Sequence, residues 1–146
     1  MRHLLALAIV LGLSGCAANP HGLDSVEAAR TPAEGVAIRF IITRDAPVPG
    51  GGVDRKTYEN SVLMASGNTF NGNFDPMFRI KLTATDQGSN AHVVFELHDS
   101  MRAGILVGST ITDVPIGGQS SITLPGSEGF AYAVVLKASR RALPKG

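Results

Sequence analysis

The 146-residue sequence contains a single cysteine, Cys16, no tryptophan, and only two tyrosines, Tyr58 and Tyr132. One cysteine excludes an intramolecular disulfide, so a folded domain here must be held by its core. Sugar-binding faces lean on aromatic platforms, and the scarcity of large aromatics weakens a carbohydrate-binding reading. An excess of charge is also missing: 13 basic side chains stand against 12 acidic ones. Residues 1–15 contain Arg2 and no acid, which leaves 12 of each from Cys16 onward. That balance provides neither a basic face for nucleic acid nor an electrostatic hold on anionic lipid. A bilayer-spanning helix needs about 20 apolar residues, whereas residues 4–13 (LLALAIVLGL) offer a run of ten.

Catalytic signatures are likewise absent. No G-x-S-x-G nucleophile elbow occurs. The glycine pairs and triplets at 50–52 and 117–118 lack the lysine and the strand-to-helix context of a phosphate loop. Asp99 and Asp113 form no recognisable carboxylate dyad, and no context pairs Ser120, Ser121 or Ser127 with a histidine. The sequence therefore points away from an enzyme.

The N-terminus carries a defined pattern. Met1-Arg2-His3 is a short positive start, residues 4–13 are apolar, and Ser14 and Gly15 are small. This order describes a secretory signal peptide. Leu13-Ser14-Gly15-Cys16 resembles the bacterial lipoprotein box, a resemblance confined to the first sixteen residues but specific in order, spacing and position. It implies that the Cys16 thiol receives a diacylglycerol, that the signal is cut before it, and that the new amine is acylated with a fatty acid such as palmitate. Each buried methylene contributes about 0.8 kcal/mol, so two or three chains anchor a protein durably where one does not. In that family an aspartate directly after the cysteine favours the inner membrane; Ala17 stands here, which implies the outer membrane, with the domain facing the periplasm. The alternatives for Cys16 are weaker. A metal site lacks neighbouring ligands, a nucleophile would sit in a cleavable leader, and a buried core cysteine leaves the leader pattern unexplained.

Residues 16–34 are small, polar and broken by proline, and read as a tether with a reach on the order of 25 Å. From residue 35 the apolar positions alternate. Strands are predicted over residues 36–43, 58–65, 77–85, 91–98, 105–112, 119–124 and 130–138, separated by turn-forming residues. For the hairpin around residues 86–89, placing Thr85 opposite Asn90 aligns Leu82 with Val93, Ile80 with Phe95 and Phe78 with Leu97. On the other face the same register sets Arg79 against Glu96. The last strand is apolar on both faces, as suits a central position. The expected fold is all-β: about seven strands in an immunoglobulin-like β-sandwich over residues 35–139, with 140–146 as a tail.

Two stretches invite a site. His92, Glu96 and His98 share one strand face, but His92 and His98 would lie about 20 Å apart, too far for one metal. "NGNFDP" (71–76) echoes a calcium loop, yet Pro76 occupies the glycine position and Leu82 that of the bidentate glutamate. The better reading of Asn71-Gly72 is a type I′ turn. Phe70 and Phe74 flank it, and at a loop tip they would make an apolar knob, with Asn71, for docking on a partner; the alternative is that both rings fold back on the sandwich edge. No metal or cofactor is implied. The expectation is a non-catalytic envelope lipoprotein, held in the membrane by its N-terminal lipid, that binds and positions another envelope protein, in the general plan of secretion or surface-assembly accessories. The alternative is a lipoprotein holding a small apolar molecule or a metal.

Overall fold

The computed structural model describes residues 33–74 and 76–145. Cys16, the expected leader and the expected tether up to residue 32 lie outside the described residues. The chain forms β1 (Glu34–Pro47), β2 (Val53–Met64), β3 (Thr69–Phe74), β4 (Phe78–Asp86), β5 (Asn90–Asp99), β6 (Ile105–Pro115), β7 (Gln119–Leu124) and β8 (Ala131–Ala142). A short 3₁₀ turn, Ser100–Arg102, follows β5. The strands make two antiparallel sheets, ordered β2-β1-β8-β7 and β3-β4-β5-β6. The fold is thus the all-β sandwich expected, with eight strands instead of seven. The second sheet is an uninterrupted meander, and the chain crosses between sheets after β2 and after β6.

Alternation explains the layering, because successive strand residues point to opposite faces. Val36, Ile38, Phe40 and Ile42 of β1 and Tyr132, Val134, Leu136 and Ala138 of β8 bury their side chains from one sheet. Phe78, Ile80, Leu82 and Ala84 of β4 meet them from the other, with Ala91, Val93, Phe95 and Leu97 of β5. Each fully buried large apolar side chain contributes roughly 1.5–3 kcal/mol. β1 and β8 sit side by side in the middle of their sheet, which agrees with the apolar outer face of β8.

All four inner rows end in a charge. Arg44 extends the β1 row and Asp99 the β5 row; they pair between the sheets at one end of the core. Arg140 extends the β8 row and Asp86 the β4 row; they pair at the opposite end. Two arginine–aspartate clamps of the same chemistry thus close the sandwich at top and bottom.

Four readings from the sequence are corrected. Residues 69–74 form a strand, so Asn71-Gly72 is not a turn. β3 pairs with β4 with Asn71 opposite Lys81 and Gly72 opposite Ile80, and the reversal falls just after Phe74. Second, the β4–β5 register is shifted by two residues. Ile80 faces Leu97, Leu82 faces Phe95 and Ala84 faces Val93. The reason is the turn: the Gln87 amide donates to the Asn90 carbonyl at 2.9 Å, leaving Gly88-Ser89 as a two-residue loop. Gly88 has φ +91°, as the first position of a type II′ turn requires. A slip of two keeps every apolar residue on its face, so alternation alone does not distinguish the two registers. Third, Arg79 consequently lies opposite His98, not Glu96. Fourth, β8 continues to Ala142, so residues 140–142 of the expected tail belong to the sheet.

Candidate functional site

The outer strands of the two sheets are β2 and β3 on one side of the sandwich and β6 and β7 on the other. On the β2–β3 side the inner-face positions alternate Tyr58, Asn60, Val62 and Met64 on β2 and Phe70, Gly72 and Phe74 on β3. Asn60 is polar and exposed, and Gly72 has no side chain. Where Asn60 stands in place of a large apolar residue the sheets leave a groove, while the space over Gly72 is taken by the Phe70 ring.

Two concavities lie along this edge, one recessed and one shallow and open to solvent. One, of about 350 Å³, is lined by Phe40, Ile42, Tyr58, Phe74 and Phe78, with Thr57, Glu59 and Asn60 at its rim. The other, of about 430 Å³, lies between Val62, Met64 and Phe70, with Leu143 and Pro144 at its end. The aromatic rings are packed edge to face. Phe40 meets Phe74 at 4.8 Å between centroids and 72°, and Tyr58 meets Phe78 at 5.1 Å and 82°. Such edge-on contacts follow from the ring quadrupole and fix ring orientation. Phe70 and Phe74 lie 5.3 Å apart. The ring of Phe70 lies where a Cβ on residue 72 would be, so glycine is needed there for packing and not for a turn.

Of the residues singled out from the sequence, Phe70 and Phe74 come together as one wall of this groove, Phe74 turned inward against Phe40 and Phe70 packed beside Phe74. Asn71 points to the opposite face and is exposed. Cys16 lies outside the described residues. Sequence reasoning missed Phe40, Tyr58 and Phe78 as groove residues, because they reach it from three other strands. One signal was present: Phe70-x-Gly72-x-Phe74 has the period of a strand, obscured by Asn-Gly.

The wall formed by Phe78 is backed by the upper clamp. Asp99 neighbours Phe78 in the β4–β5 ladder and is fully buried. Its Oδ2 accepts from Arg44 Nε at 2.9 Å and from the Tyr132 hydroxyl at 2.6 Å. Its Oδ1 accepts from the Met101 amide at 2.9 Å, which caps the 3₁₀ turn. Burial, and then the bond to Asp99, raise the Tyr132 pKa, so the phenol remains the proton donor. The Arg44 guanidinium lies 4.8 Å from the Phe130 centroid and that of Arg102 lies 4.1 Å from it. Both cations thus lie over the face of one ring, an electrostatically favourable contact.

The outer face of β5 holds two histidine–carboxylate pairs. His92 Nδ1 lies 2.8 Å from Asp113, and His98 Nε2 lies 2.7 Å from Glu96. The bond to His98 holds the Glu96 carboxyl below the usual carboxylate range. The other partners of His98 are Arg79 and the Gly104 carbonyl, so neither imidazole contacts a nucleophile among the described residues. No group of three or more His, Cys, Asp or Glu among the described residues could hold a metal ion. The arrangement provides an apolar concavity between two strands that are the outer ones of their sheets among the described residues, a shape that accepts an apolar group or an extended chain. Neither a protein-family model, nor a curated protein, nor a solved structure matches this chain.

Proposed function

We propose that this chain is a non-catalytic lipoprotein of the bacterial envelope, anchored through Cys16 in the outer membrane, whose sandwich faces the periplasm and binds and positions another envelope protein. The lipobox-like Leu13-Ser14-Gly15-Cys16 supports the anchor. The observation that carries the binding role is the aromatic groove between β2 and β3, which leaves Tyr58, Phe70 and Phe74 only partly covered. Accessory lipoproteins of secretion and surface-fibre assemblies share this general plan. The test is crosslinking of the full chain in envelopes, followed by recovery and mass spectrometry, beside an Asn60→Arg variant. Asn60 is exposed at the groove mouth, so the substitution sets a charge there without touching the core. One partner recovered near stoichiometry with the wild type and lost with Asn60→Arg is the expected result. Absence of any partner from correctly anchored wild-type protein would overturn the reading.

The 350 Å³ cavity favours a second reading, in which the lipoprotein holds a small apolar molecule. Native mass spectrometry of protein purified from envelopes separates the two. A discrete added mass that Asn60→Arg removes would support a ligand carrier, and the bare polypeptide mass would count against it.

A further inference from the structure

The first sheet carries a smaller pocket on the face turned away from the core. β1 runs between β2 and β8. On this face Arg39 stands between Ser61 and Lys137, and Ala37 between Leu63 and Ser139. Arg141 follows Ser139 on β8, opposite Gly35. Same-face neighbours on a strand are about 6.6–7 Å apart and adjacent strands about 5 Å. Ala37 is shorter than the residues around it, so the face dips there. The dip is a pocket of about 140 Å³ walled by Arg39, Ser61, Leu63, Ser139 and Arg141. It is more recessed than either concavity of the β2–β3 edge.

Charge around this pocket is not balanced. Among the described residues, neither Lys137 nor Arg141 forms an ion pair. The acids of β1 and β2 that could neutralise them are engaged: Glu59 with Arg39, Asp45 with Arg55 and Asp54 with Lys56. Glu34 keeps the parity of the inner row and acts on Arg140 instead. Arg39 gives Nε and one terminal nitrogen to Glu59, which leaves its other terminal nitrogen for a ligand. Equal numbers of acids and bases in the whole chain hide this local excess of two positive charges. Size narrows the ligand. A water takes up about 30 Å³, so the pocket holds a group of about five heavy atoms, far below an ordinary ligand site of about 300–1,000 Å³. A phosphate group has that size, carries up to about two negative charges and accepts hydrogen bonds from several directions. A carboxylate brings one charge and two oxygens.

We propose that this pocket binds a phosphate group, held by Arg39, Arg141 and the Ser61 and Ser139 hydroxyls, with Lys137 at its border balancing the second charge. The site is separate from the groove, and the inference does not depend on the binding role proposed above. A lipid headgroup and a soluble phosphate share this chemistry, and the test separates them.

The test titrates the full chain, in uncharged maltoside micelles at constant ionic strength, with inorganic phosphate, acetate and dibutyryl phosphatidic acid, read by amide chemical shifts. Phosphate should give saturable shifts centred on residues 37–39, 61–63 and 137–141, with acetate about fivefold or more weaker. Arg141→Gln should weaken phosphate about fivefold, the upper range for an exposed ion pair. Ser139→Glu, which sets a carboxylate in the pocket, should abolish it, and Lys56→Gln, at the far end of the sheet, should leave it unchanged. Phosphatidic acid binding more tightly than inorganic phosphate assigns a lipid headgroup, and equal affinity assigns a soluble phosphate; either supports the site. Shifts scattered over the surface, equal affinity for acetate, or phosphate binding unchanged in Arg141→Gln and Ser139→Glu would overturn the proposal.

Discussion

Replacing Asp99 by alanine should be the most damaging single substitution of a polar residue in the sandwich. Its carboxylate is fully buried and accepts three hydrogen bonds, from Arg44, Tyr132 and the Met101 amide. The Arg44 side chain is only 11% exposed, so water screens little of the pair. Asp99→Ala leaves that guanidinium and the Tyr132 hydroxyl without their acceptor. Breaking a buried pair from one side costs about 3–5 kcal/mol. Domains of this size are stable by about 5–15 kcal/mol, so the loss is a large share of the total and should lower Tm by on the order of 10–20 °C. Removing the whole network should hurt less than removing one member. In Arg44→Met, Asp99→Leu, Tyr132→Phe the buried charges and hydroxyl are gone together, and apolar replacement of a buried network is often neutral. The Met101 amide loses its acceptor in both variants, so it does not separate them. Urea unfolding of the single and triple variants measures both. A loss under about 1 kcal/mol for Asp99→Ala, or a triple variant less stable than the single one, would refute the reasoning.

The lower clamp should report in pH. Arg140 donates to Asp86 through Nε at 2.6 Å and NH2 at 2.8 Å. Those bonds, followed by the Gly88 amide, hold the Asp86 carboxyl down to about 2 from an ordinary 3.8. Because the folded value is depressed, the stabilisation is full above about pH 4 and is lost as pH falls towards 2. The Tm gap between wild type and Asp86→Asn should therefore close over that window; a gap unchanged from pH 6 to pH 2 would refute it. Gly88→Ala should cost about 1–2 kcal/mol, because φ of +91° penalises a Cβ, while Ser89→Ala should be close to neutral in the same unfolding assay. Cross-strand nuclear Overhauser contacts should link Ile80 with Leu97; contacts of Ile80 with Phe95 as its direct partner would restore the register first expected from the sequence.

What was legible in the sequence was the alternation. The inner rows 36–42, 78–84, 91–97 and 132–138 stand out because each strand offers one apolar face. Three things stayed hidden, each for a physical reason. β3 was obscured because Asn71-Gly72 has turn chemistry, although here glycine makes room for the Phe70 ring. The β4–β5 register was ambiguous by two residues because a two-residue slip preserves both faces, and the loop geometry of Gly88-Ser89 decided it. The clamps were missed because a charge at a strand end reads as the start of a loop. Yet Arg44 and Asp99 keep the parity of their apolar rows, and opposite charges continuing two inner rows are what an inter-sheet pair requires. The groove is a property of both sheets, since β1, β2, β3 and β4 each supply a wall. No single segment displays it.

The docking role of the β2–β3 groove is tested most directly by placing a photoreactive benzoylphenylalanine at position 60 of the full chain, at the groove mouth, and in a second variant at position 121, on the exposed outer face of β7. Irradiation of envelopes should give one discrete crosslinked partner from position 60 and none from position 121. No crosslink from position 60, or the same species in equal yield from both positions, would contradict a docking site in the groove.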